Sequence, residues 1–361
     1  MNRNSPTNPS NTPASLGYRM PAEWAPHEAT WIVWPHNTSD WPGKFAPIPW
    51  VYAEIVRHLI EGEKVRILVN SPEHETKAKR ALKKAGADSE QIEFFTVPTN
   101  RGWTRDFGPI FVKRPSSRDS TAAIRFRFNA WAKYPDWQKD DLAPQKIAEE
   151  MGCLQFSAQW RGRGVVLEGG AIDGNGRGDM LTTEECLLDE EIQIRNPGFT
   201  RDDYHGVLKN YLGVDNVIWL GKGIAGDDTH GHVDDLCRFV NSNTVVLCRE
   251  QNPQDDNYQP LIDNKARLQN ARLANGENLN IIDLPMPDPV IFDRQRLPAS
   301  YANFLIANAC VLAPTFNDPN DRLVLGILSE LFPDRKVIGI HAVDLVWGLG
   351  TIHCLTQQQP R

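Results

Sequence analysis

Four short segments of this 361-residue chain carry side chains that could perform covalent chemistry. One of them contains Cys354, which follows Gly348 and Gly350 closely. Glycines let a ligand approach the backbone, so this thiol and Gly350 are candidates for one binding site. Most intracellular cysteines are small buried hydrophobes. A nucleophilic thiol needs a base, a cation or a helix terminus to activate it.

The second segment has the pattern H-x-H-x-D at His230, His232 and Asp234. Alternate residues of an extended chain share one face, so the three side chains could converge. One interpretation is a general acid/base with a supporting carboxylate, and the other is a metal-dependent hydrolase. His353 precedes Cys354 directly and would point away from the thiol in an extended strand. We therefore expect the base of Cys354 to come from elsewhere in the chain.

The two remaining segments supply carboxylates. Asp106 lies in W-T-R-D-F-G-P and either pairs with Arg105 or binds a cationic group, with Trp103 as a cation–π surface. Glu168 follows the apolar run 165–167 and precedes two glycines. The end of a strand followed by small residues is where open α/β folds bind ligands. The alternative for Glu168 is a hairpin turn with a solvated side chain.

The composition restricts the class of protein. A hydrophobic content of 40% and a charged content of 24% are typical of a globular chain, and the net charge of −7 disfavours nucleic acid as a partner. No apolar run approaches the roughly 18 residues of a membrane span, so no membrane partner is expected. Six scattered cysteines without a C-x-x-C pair predict reduced thiols in the cytoplasm. Residues 1–17, rich in Asn, Ser, Pro and Thr, predict a disordered leader before one catalytic domain at 18–361.

Strands and helices alternate along the chain. Short β-branched runs predict strands at 30–34, 65–69, 92–97, 110–112, 123–128, 165–167, 217–220, 244–247, 281–284, 310–313 and 337–340. Helical patterns occupy 49–61, 71–85, 145–151 and 321–332, with Gly86 as a helix stop and Asp321 as an N-cap. Several strands are separated only by a turn, which favours an α/β fold with mixed sheets.

The chain resembles the agmatine deiminase family, which is grouped with bacterial-type peptidylarginine deiminases. The shared segments occur in the family order: M-P-A-E-W from Met20, W-T-R-D-F-G-P from Trp103, L-E-G-G from Leu167, L-T-T-E-E-C-L-L from Leu181, G-H-V-D-D from Gly231 and I-H-C-L-T-Q-Q from Ile352. The resemblance covers residues from about 18 to 359. It implies the pentein fold, a five-bladed α/β propeller of ββαβ-type modules around a central active-site channel.

The resemblance also implies a role for each candidate residue. It assigns Cys354 as the nucleophile, His232 as the general acid/base, and Asp106 and Asp234 as the carboxylates that hold a guanidinium. It also assigns Glu168 as the support of the histidine and of the substrate nitrogens, and Trp103 as a residue that lines the pocket. His230 and Gly350, which flank these residues in sequence, are further candidates for substrate binding. A guanidinium is planar and offers only donors, so carboxylates must face it. The implied enzyme forms an S-alkylthiouronium on its cysteine and needs no metal or organic cofactor. Its substrate is a small cationic guanidino compound, and the family leans towards homodimers or larger assemblies.

Two positions depart from the commonest family pattern. Leu349 interrupts what is often a run of glycines, and His230 stands where asparagine is common. Both flank the site, so the resemblance does not determine which chemical group the substrate carries beyond its guanidinium. The leading expectation is hydrolysis of agmatine to N-carbamoylputrescine and ammonia, and the alternative is a peptidylarginine or arginine deiminase that forms citrulline. The expectation from another class is a metal-dependent hydrolase using His230, His232 and Asp234.

Overall fold

The fold is built from five small sheets that share one topology in the part of the chain described by this computed structural model, residues 11–115 and 121–361. Its strands are β1 (His27–Val33), β2 (Lys64–Val69), β3 (Ile92–Thr96), β4 (Ile110–Lys113), β5 (Thr121–Arg125), β6 (Leu154–Ser157), β7 (Gln159–Trp160), β8 (Arg163–Gly164), β9 (Asp173–Gly174), β10 (Asp179–Thr183), β11 (Asn216–Leu220), β12 (Cys237–Phe239), β13 (Thr244–Arg249), β14 (Asn280–Pro285), β15 (Ile291–Phe292), β16 (Gln295–Arg296), β17 (Leu305–Ile306), β18 (Cys310–Thr315), β19 (Lys336–His341) and β20 (Thr356–Pro360).

The α-helices lie between these strands. They are α1 (Ile48–Leu59), α2 (Pro72–Lys84), α3 (Thr104–Phe107), α4 (Gln138–Glu150), α5 (Glu184–Leu188), α6 (Arg201–Leu212), α7 (Tyr258–Asn270) and α8 (Asn320–Leu331). Local sequence explains several of their ends. The Ser71 hydroxyl accepts a hydrogen bond from the backbone N–H of His74 at the start of α2, and Thr200 and Asp203 form a reciprocal capping box at the start of α6.

Each of these five sheets is one ββαβ module, and the two-stranded sheets β7-β8 and β15-β16 lie outside the modules. The modules are β20-β1-β2, which β3 extends, then β4-β5-β6, β9-β10-β11, β12-β13-β14 and β17-β18-β19. In each module the first two strands pair antiparallel, and the second and third pair parallel. The parallel strands are connected through α1, α4, α6, α7 and α8 respectively. A parallel pair needs such a crossover, which explains the alternation of strands and helices in the sequence.

The modules contact one another in a closed circle. Strand β20 contacts β4, α3 contacts the short 3-10 helix at Gly169–Ala171, α7 contacts β11, α8 contacts β14, and α1 contacts β19 of the last module. Apolar side chains fill the space between sheets and helices. This is the five-bladed α/β architecture that the resemblance implied.

Charged side chains, rather than apolar ones, are buried at the centre of the circle. The guanidinium of Arg238 donates to Glu23 Oε2 at 2.7 Å and to the carbonyl of Phe304 at 2.8 Å. Glu23 Oε1 accepts from the backbone N–H of Ile306 at 2.7 Å. Burial opposes ionisation of Glu23, but Arg238 and His353 lower its pKa well below the usual range. These buried ion pairs connect modules that are far apart in sequence.

The structure agrees with most of the expected strands and helices and corrects others. The run 165–167 contains only an isolated bridge between Arg127 and Val166. Asp321 is not the N-cap of α8. Its carboxylate lies inside the first turn and accepts from Phe316 N and Tyr301 Oη. Gly86 follows α2 with φ 73°, as a helix stop requires.

Some elements had no clear sequence signal. Helix α6 contains an internal glycine, and α7 a proline near its start, so neither matched a helical pattern. Residues 1–10 of the expected leader lie outside the described residues, whereas Ala14–Leu16 form a 3-10 helix within it. No helix in the described ranges is long and apolar enough to cross a membrane.

Candidate active site

A cavity of about 490 Å³ leads from the surface to Cys354. Trp103, Asp106, Trp131 and Gly350 line its walls beside the thiol. All four chemically suggestive segments therefore meet around one cavity or directly beneath it. They are positioned by turns between strands and helices, not by the strands themselves.

Cys354 lies in a tight turn directly before β20. Its sulfur accepts a hydrogen bond from Asn303 Nδ2 at 3.1 Å and lies 3.8 Å from Asp234 Oδ2. Burial raises the pKa of the thiol well above its ordinary value, and the charges of Asp234, Asp235 and Asp106 add to this effect. The free site therefore holds a neutral thiol, and a bound cation would favour the thiolate.

Asn303 is an organising residue that the sequence did not reveal. Its side-chain oxygen accepts from the Thr351 hydroxyl at 2.8 Å and from the backbone N–H of His353 at 3.0 Å. Its amide nitrogen donates to the sulfur of Cys354 and, at 2.9 Å, to Asp235 Oδ1. One buried amide thus fixes both the backbone and the sulfur of the turn. No local pattern distinguishes it from other asparagines of the chain.

His232 is completely buried beside two carboxylates. Its Nδ1 lies 3.7 Å from Asp106 Oδ1, and its Nε2 lies 3.9 Å from Glu168 Oε2. Burial alone would lower the pKa of His232, but Asp106, Cys186 and Glu168 raise it well above the ordinary value. The imidazole is therefore a proton donor in the free site. Its backbone N–H donates to Asp227 Oδ2 at 3.0 Å.

Glu168 is held by an arginine that the sequence did not single out. Arg195 Nε donates to Glu168 Oε1 at 3.0 Å, and both side chains are fully buried. Burial opposes ionisation, but Arg195 and His232 lower the pKa of Glu168 to about 2. The carboxylate is thus charged and oriented, and the solvated hairpin turn considered for this residue is wrong.

Asp106 does not pair with its neighbour Arg105, whose guanidinium donates to Gln358 Oε1 instead. Asp106 Oδ2 accepts from Trp131 Nε1 at 3.0 Å, and Oδ1 accepts from the backbone N–H of Gly170 at 3.3 Å. Burial raises the pKa of Asp106 to about 7. This carboxylate faces the cavity. Among the described residues, no cationic side chain donates a hydrogen bond to it.

Trp131 reaches Asp106 from an unusual backbone. Ala130, Trp131 and Ala132 have φ values of 50°, 58° and 53°, the left-handed region that side chains other than glycine rarely adopt. Three such residues in a row cost free energy that packing elsewhere must offset. This strained backbone brings the indole N–H of Trp131 to the buried carboxylate of Asp106.

Asp234 joins the site to the central ion pairs. His353 Nδ1 contacts Asp234 Oδ2 at 2.6 Å, and His353 Nε2 contacts Glu23 Oε2 at 2.8 Å. Burial opposes ionisation of Asp234, but the bond with His353 lowers its pKa. His353 therefore points away from the cavity, as expected. It does so from a turn, since the backbone around Cys354 is not an extended strand.

Gly350 has a steric reason to be glycine. A Cβ atom at this position would lie 2.8 Å from the Trp103 ring and 3.3 Å from the sulfur of Cys354. The Trp103 ring packs in turn against Trp41, with 5.3 Å between ring centroids. The indole can therefore lie flat beside the thiol and form one wall of the cavity.

His230 is placed differently from the expectation. His230 and Gly231 have φ values of 64° and 91°, so the segment turns and the alternation of an extended chain does not apply. His230 Nε2 contacts Asp189 Oδ2 at 2.7 Å and does not line the cavity. The proposed metal set of His230, His232 and Asp234 does not converge within the described residues.

The two departures from the commonest family pattern share a backbone conformation. Leu349 has φ 67°, close to the 64° of His230. Glycine and asparagine adopt this region most readily, which explains why those residues suit both positions. Leu349 lines the cavity near Cys354, whereas His230 does not.

A buried thiol, an imidazole and carboxylates around one cavity are the groups that a cysteine-nucleophile enzyme uses on a cationic substrate. The chain belongs to the Porphyromonas-type peptidyl-arginine deiminase family, whose profile matches residues 19–360. Agmatine deiminases from Stutzerimonas stutzeri and Ectopseudomonas mendocina are 36% and 34% identical to it, each alignment covering 97% of both chains. The structure of the Enterococcus faecalis agmatine deiminase is 31% identical with a TM-score of 0.87, over 97% of this chain and 98% of that one.

A cationic alkylating agent should react with Cys354 faster than its neutral analogue. We expect 2-chloroacetamidine to exceed 2-chloroacetamide by roughly tenfold or more at pH 7, because its charge offsets the carboxylates that disfavour the thiolate. Peptide mass spectrometry over time measures both rates. Cys153, which is half-buried, is the control thiol. Equal rates for the two reagents at Cys354 would contradict the electrostatic account.

Asp106→Asn should stabilise the free protein at pH 8. A carboxyl whose pKa is raised from 3.8 to about 7 destabilises the fold progressively as pH rises through that window. The gain in thermal unfolding midpoint should therefore shrink as pH falls from 7 towards 4. Asp256→Asn, at an exposed carboxylate, is the control. A gain of equal size at pH 5 and pH 8 would refute this prediction.

Proposed function

We propose that this enzyme is an agmatine deiminase that hydrolyses agmatine to N-carbamoylputrescine and ammonia. The observation that carries the proposal is the charge of the cavity. Asp40, Asp106, Asp136 and Asp228 line it, against a single lining cation, Arg101, among the described residues. Agmatine carries a guanidinium at one end and an ammonium at the other, so both of its charges suit such a cavity.

The arginine in the cavity wall is already paired. Arg101 Nη1 donates to Asp40 Oδ1 at 2.6 Å, and Nη2 donates to Asp136 Oδ1 at 2.9 Å. Its guanidinium also stacks on the Tyr134 ring, 4.3 Å from the centroid. The α-carboxylate of free arginine would therefore face the carboxylates of the cavity wall. Among the described lining residues, no unpaired cationic side chain would be available to bind it. This favours agmatine over arginine as the substrate.

The first half of the reaction forms a covalent adduct. The substrate guanidinium lies between Asp106 and Asp234, and its charge favours ionisation of Cys354. The thiolate adds to the guanidinium carbon to give a neutral tetrahedral intermediate. His232 gives a proton to one amino group, the C–N bond breaks, and ammonia departs. A cationic S-alkylthiouronium and a neutral imidazole remain.

The second half releases the product. His232 removes a proton from water as its oxygen adds to the thiouronium carbon. The C–S bond then breaks, and the hydroxyl proton passes to the departing thiolate, which yields the ureido carbonyl and restores the neutral thiol. Glu168 supports the charged imidazole in both halves, since Arg195 holds its carboxylate beside the ring. The reaction is hydrolysis of a C–N bond in a linear amidine.

The comparisons and the cysteines support this proposal. Relatives named agmatine deiminase match nearly the whole chain, and one solved Campylobacter jejuni relative carries that name with substrate bound, at 30% identity and a TM-score of 0.83. All six cysteines are free thiols, which favours the cytoplasm as the location of the enzyme.

Cys354→Ser should lower ureido-product formation by roughly 10⁴-fold or more, because it removes the nucleophile. His232→Ala should lower it by about 10²–10⁴-fold, because both proton transfers lose their partner. A colorimetric ureido assay measures both, and mass spectrometry should detect the substrate adduct in the parent alone. Cys153→Ser should retain the parent rate. Parent-like turnover in Cys354→Ser would end the covalent mechanism.

A substrate panel tests the choice of agmatine. We expect kcat/KM for agmatine to exceed that for arginine and for an arginine peptide by about 10²-fold or more, because an unpaired carboxylate or a peptide backbone meets the acidic wall. A chelator should leave the rate with agmatine unchanged, whereas a metal-dependent hydrolase would lose activity. If the arginine peptide reacted at a comparable rate, agmatine would be rejected as the preferred substrate in favour of peptidylarginine.

A further inference from the structure

A second thiol lies behind the imidazole of His232. Cys186 on α5, Glu168 and His232 are all buried, and their sulfur, oxygen and nitrogen atoms lie within 4.8 Å of one another. Neither the covalent step nor guanidinium binding uses Cys186. One thiolate, one imidazole and one carboxylate form a ligand set that zinc prefers.

Three polar atoms of this group have no hydrogen-bond partner within the described residues. They are Glu168 Oε2 and both ring nitrogens of His232. Buried polar atoms are nearly always paired, so three in one place require an explanation. Arg195 holds Glu168 Oε1 and thereby turns the other oxygen towards the imidazole. The unpaired atoms are thus the ones available to a ligand.

The backbone around the group is firmly fixed. The N–H of Cys186 donates to Thr183 Oγ1 at 3.1 Å, and the Thr183 hydroxyl donates to the carbonyl of Gly231. Asp227 Oδ2 accepts from the N–H groups of Gly231 and His232 at 2.7 and 3.0 Å. Helix α5 and the histidine loop are therefore held together, and only side-chain rotations can adjust the three ligand atoms.

A second group of three candidate ligands is less suited to a metal. Asp234, Asp235 and Cys354 also lie close together. Several of their ligand atoms are already paired, because Asn303 donates to both Cys354 Sγ and Asp235 Oδ1, whereas Asp234 Oδ1 has no hydrogen-bond partner within the described residues. His353 occupies Asp234 Oδ2 at 2.6 Å. This group also lacks a histidine ligand.

We propose that Zn²⁺ binds to Glu168 Oε2, Cys186 Sγ and a ring nitrogen of His232, with release of the thiol proton and of one proton of the charged imidazole. Ligands of tetrahedral zinc lie about 3–4 Å apart, given bonds of about 2.0–2.3 Å, so small rotations complete the site. Asp106 connects this group to the cavity, because it lines the cavity and contacts the His232 ring at 3.7 Å. Binding of zinc does not depend on the proposed function. Inhibition does, because the ion blocks the proton transfers proposed for His232.

Metal binding is tested in Cys354→Ala, which excludes the other thiol of the site. Titration with ZnCl₂ by calorimetry should show one tight site per chain. Co²⁺ in the same variant should give a thiolate-to-cobalt charge-transfer band. Adding Cys186→Ala or Cys186→Ser should weaken zinc binding by about 100-fold or more and remove the band, because the thiolate ligand is gone. The double variant with Cys153→Ala should bind like the Cys354→Ala parent.

The outcomes separate the alternatives. Equal zinc affinity with and without Cys186, in variants that keep the thermal unfolding midpoint of the Cys354→Ala parent, would overturn the proposal. Binding seen only when Cys354 is present would assign zinc to the other group and would equally overturn it.

Inhibition is measured in the enzyme with Cys354 intact. Half-inhibition by zinc should need at least about tenfold more metal in Cys186→Ser than in the parent, each relative to its own zinc-free rate. Unchanged zinc sensitivity in Cys186→Ser would contradict the inhibitory role. If the parent bound zinc through Cys186 but did not turn over agmatine, the proposed function would fail while the metal site stood.

Discussion

Buried negative charge around one thiol is the constraint on which the rest of this structure depends. Asp106, Asp234 and Asp235 are almost inaccessible to solvent, and each disfavours the thiolate of Cys354. Such an arrangement is unfavourable in the free protein because charged groups lose their hydration. It becomes favourable when a cation enters the cavity. Under the proposed function, binding of the substrate cation and ionisation of Cys354 are then one event.

The five-module circle makes this arrangement stable. Each module turns its loops towards the centre, where Arg105 and Arg238 offset part of the acidic charge. A buried ion pair stabilises little by itself, but breaking one leaves an uncompensated charge. Glu23, which accepts from Arg238 and Ile306 and contacts His353, therefore ties three modules to the catalytic turn. The polar centre defines how the blades fit together.

The sequence revealed the reacting groups better than their supports. Cys354, His232 and Asp106 stand in glycine-rich or aromatic segments whose residue types suggest chemistry. Asn303 and Arg195 stand in unremarkable segments, and their importance comes from burial beside residues far away in the chain. His230 was wrongly placed because a positive φ at two consecutive residues cannot be read from an alternating pattern. Most strands were predicted correctly, because runs of β-branched residues reflect a local conformational preference. The order of the five modules around the circle depends on long-range contacts, which no local pattern reveals.

The position of strand β20 determines when, during synthesis of the chain, the site can form. It pairs antiparallel with β1, so the first and last described strands close the circle. Its neighbour in sequence is the turn that holds the nucleophile, whose backbone carbonyl accepts from Arg105 N at 3.1 Å. A ribosome must therefore synthesise the chain from Asp106 to Cys354 before the thiol can meet its carboxylates. Partly synthesised chains would lack the reactive centre, and contacts of such high sequence separation make folding of the ring slow.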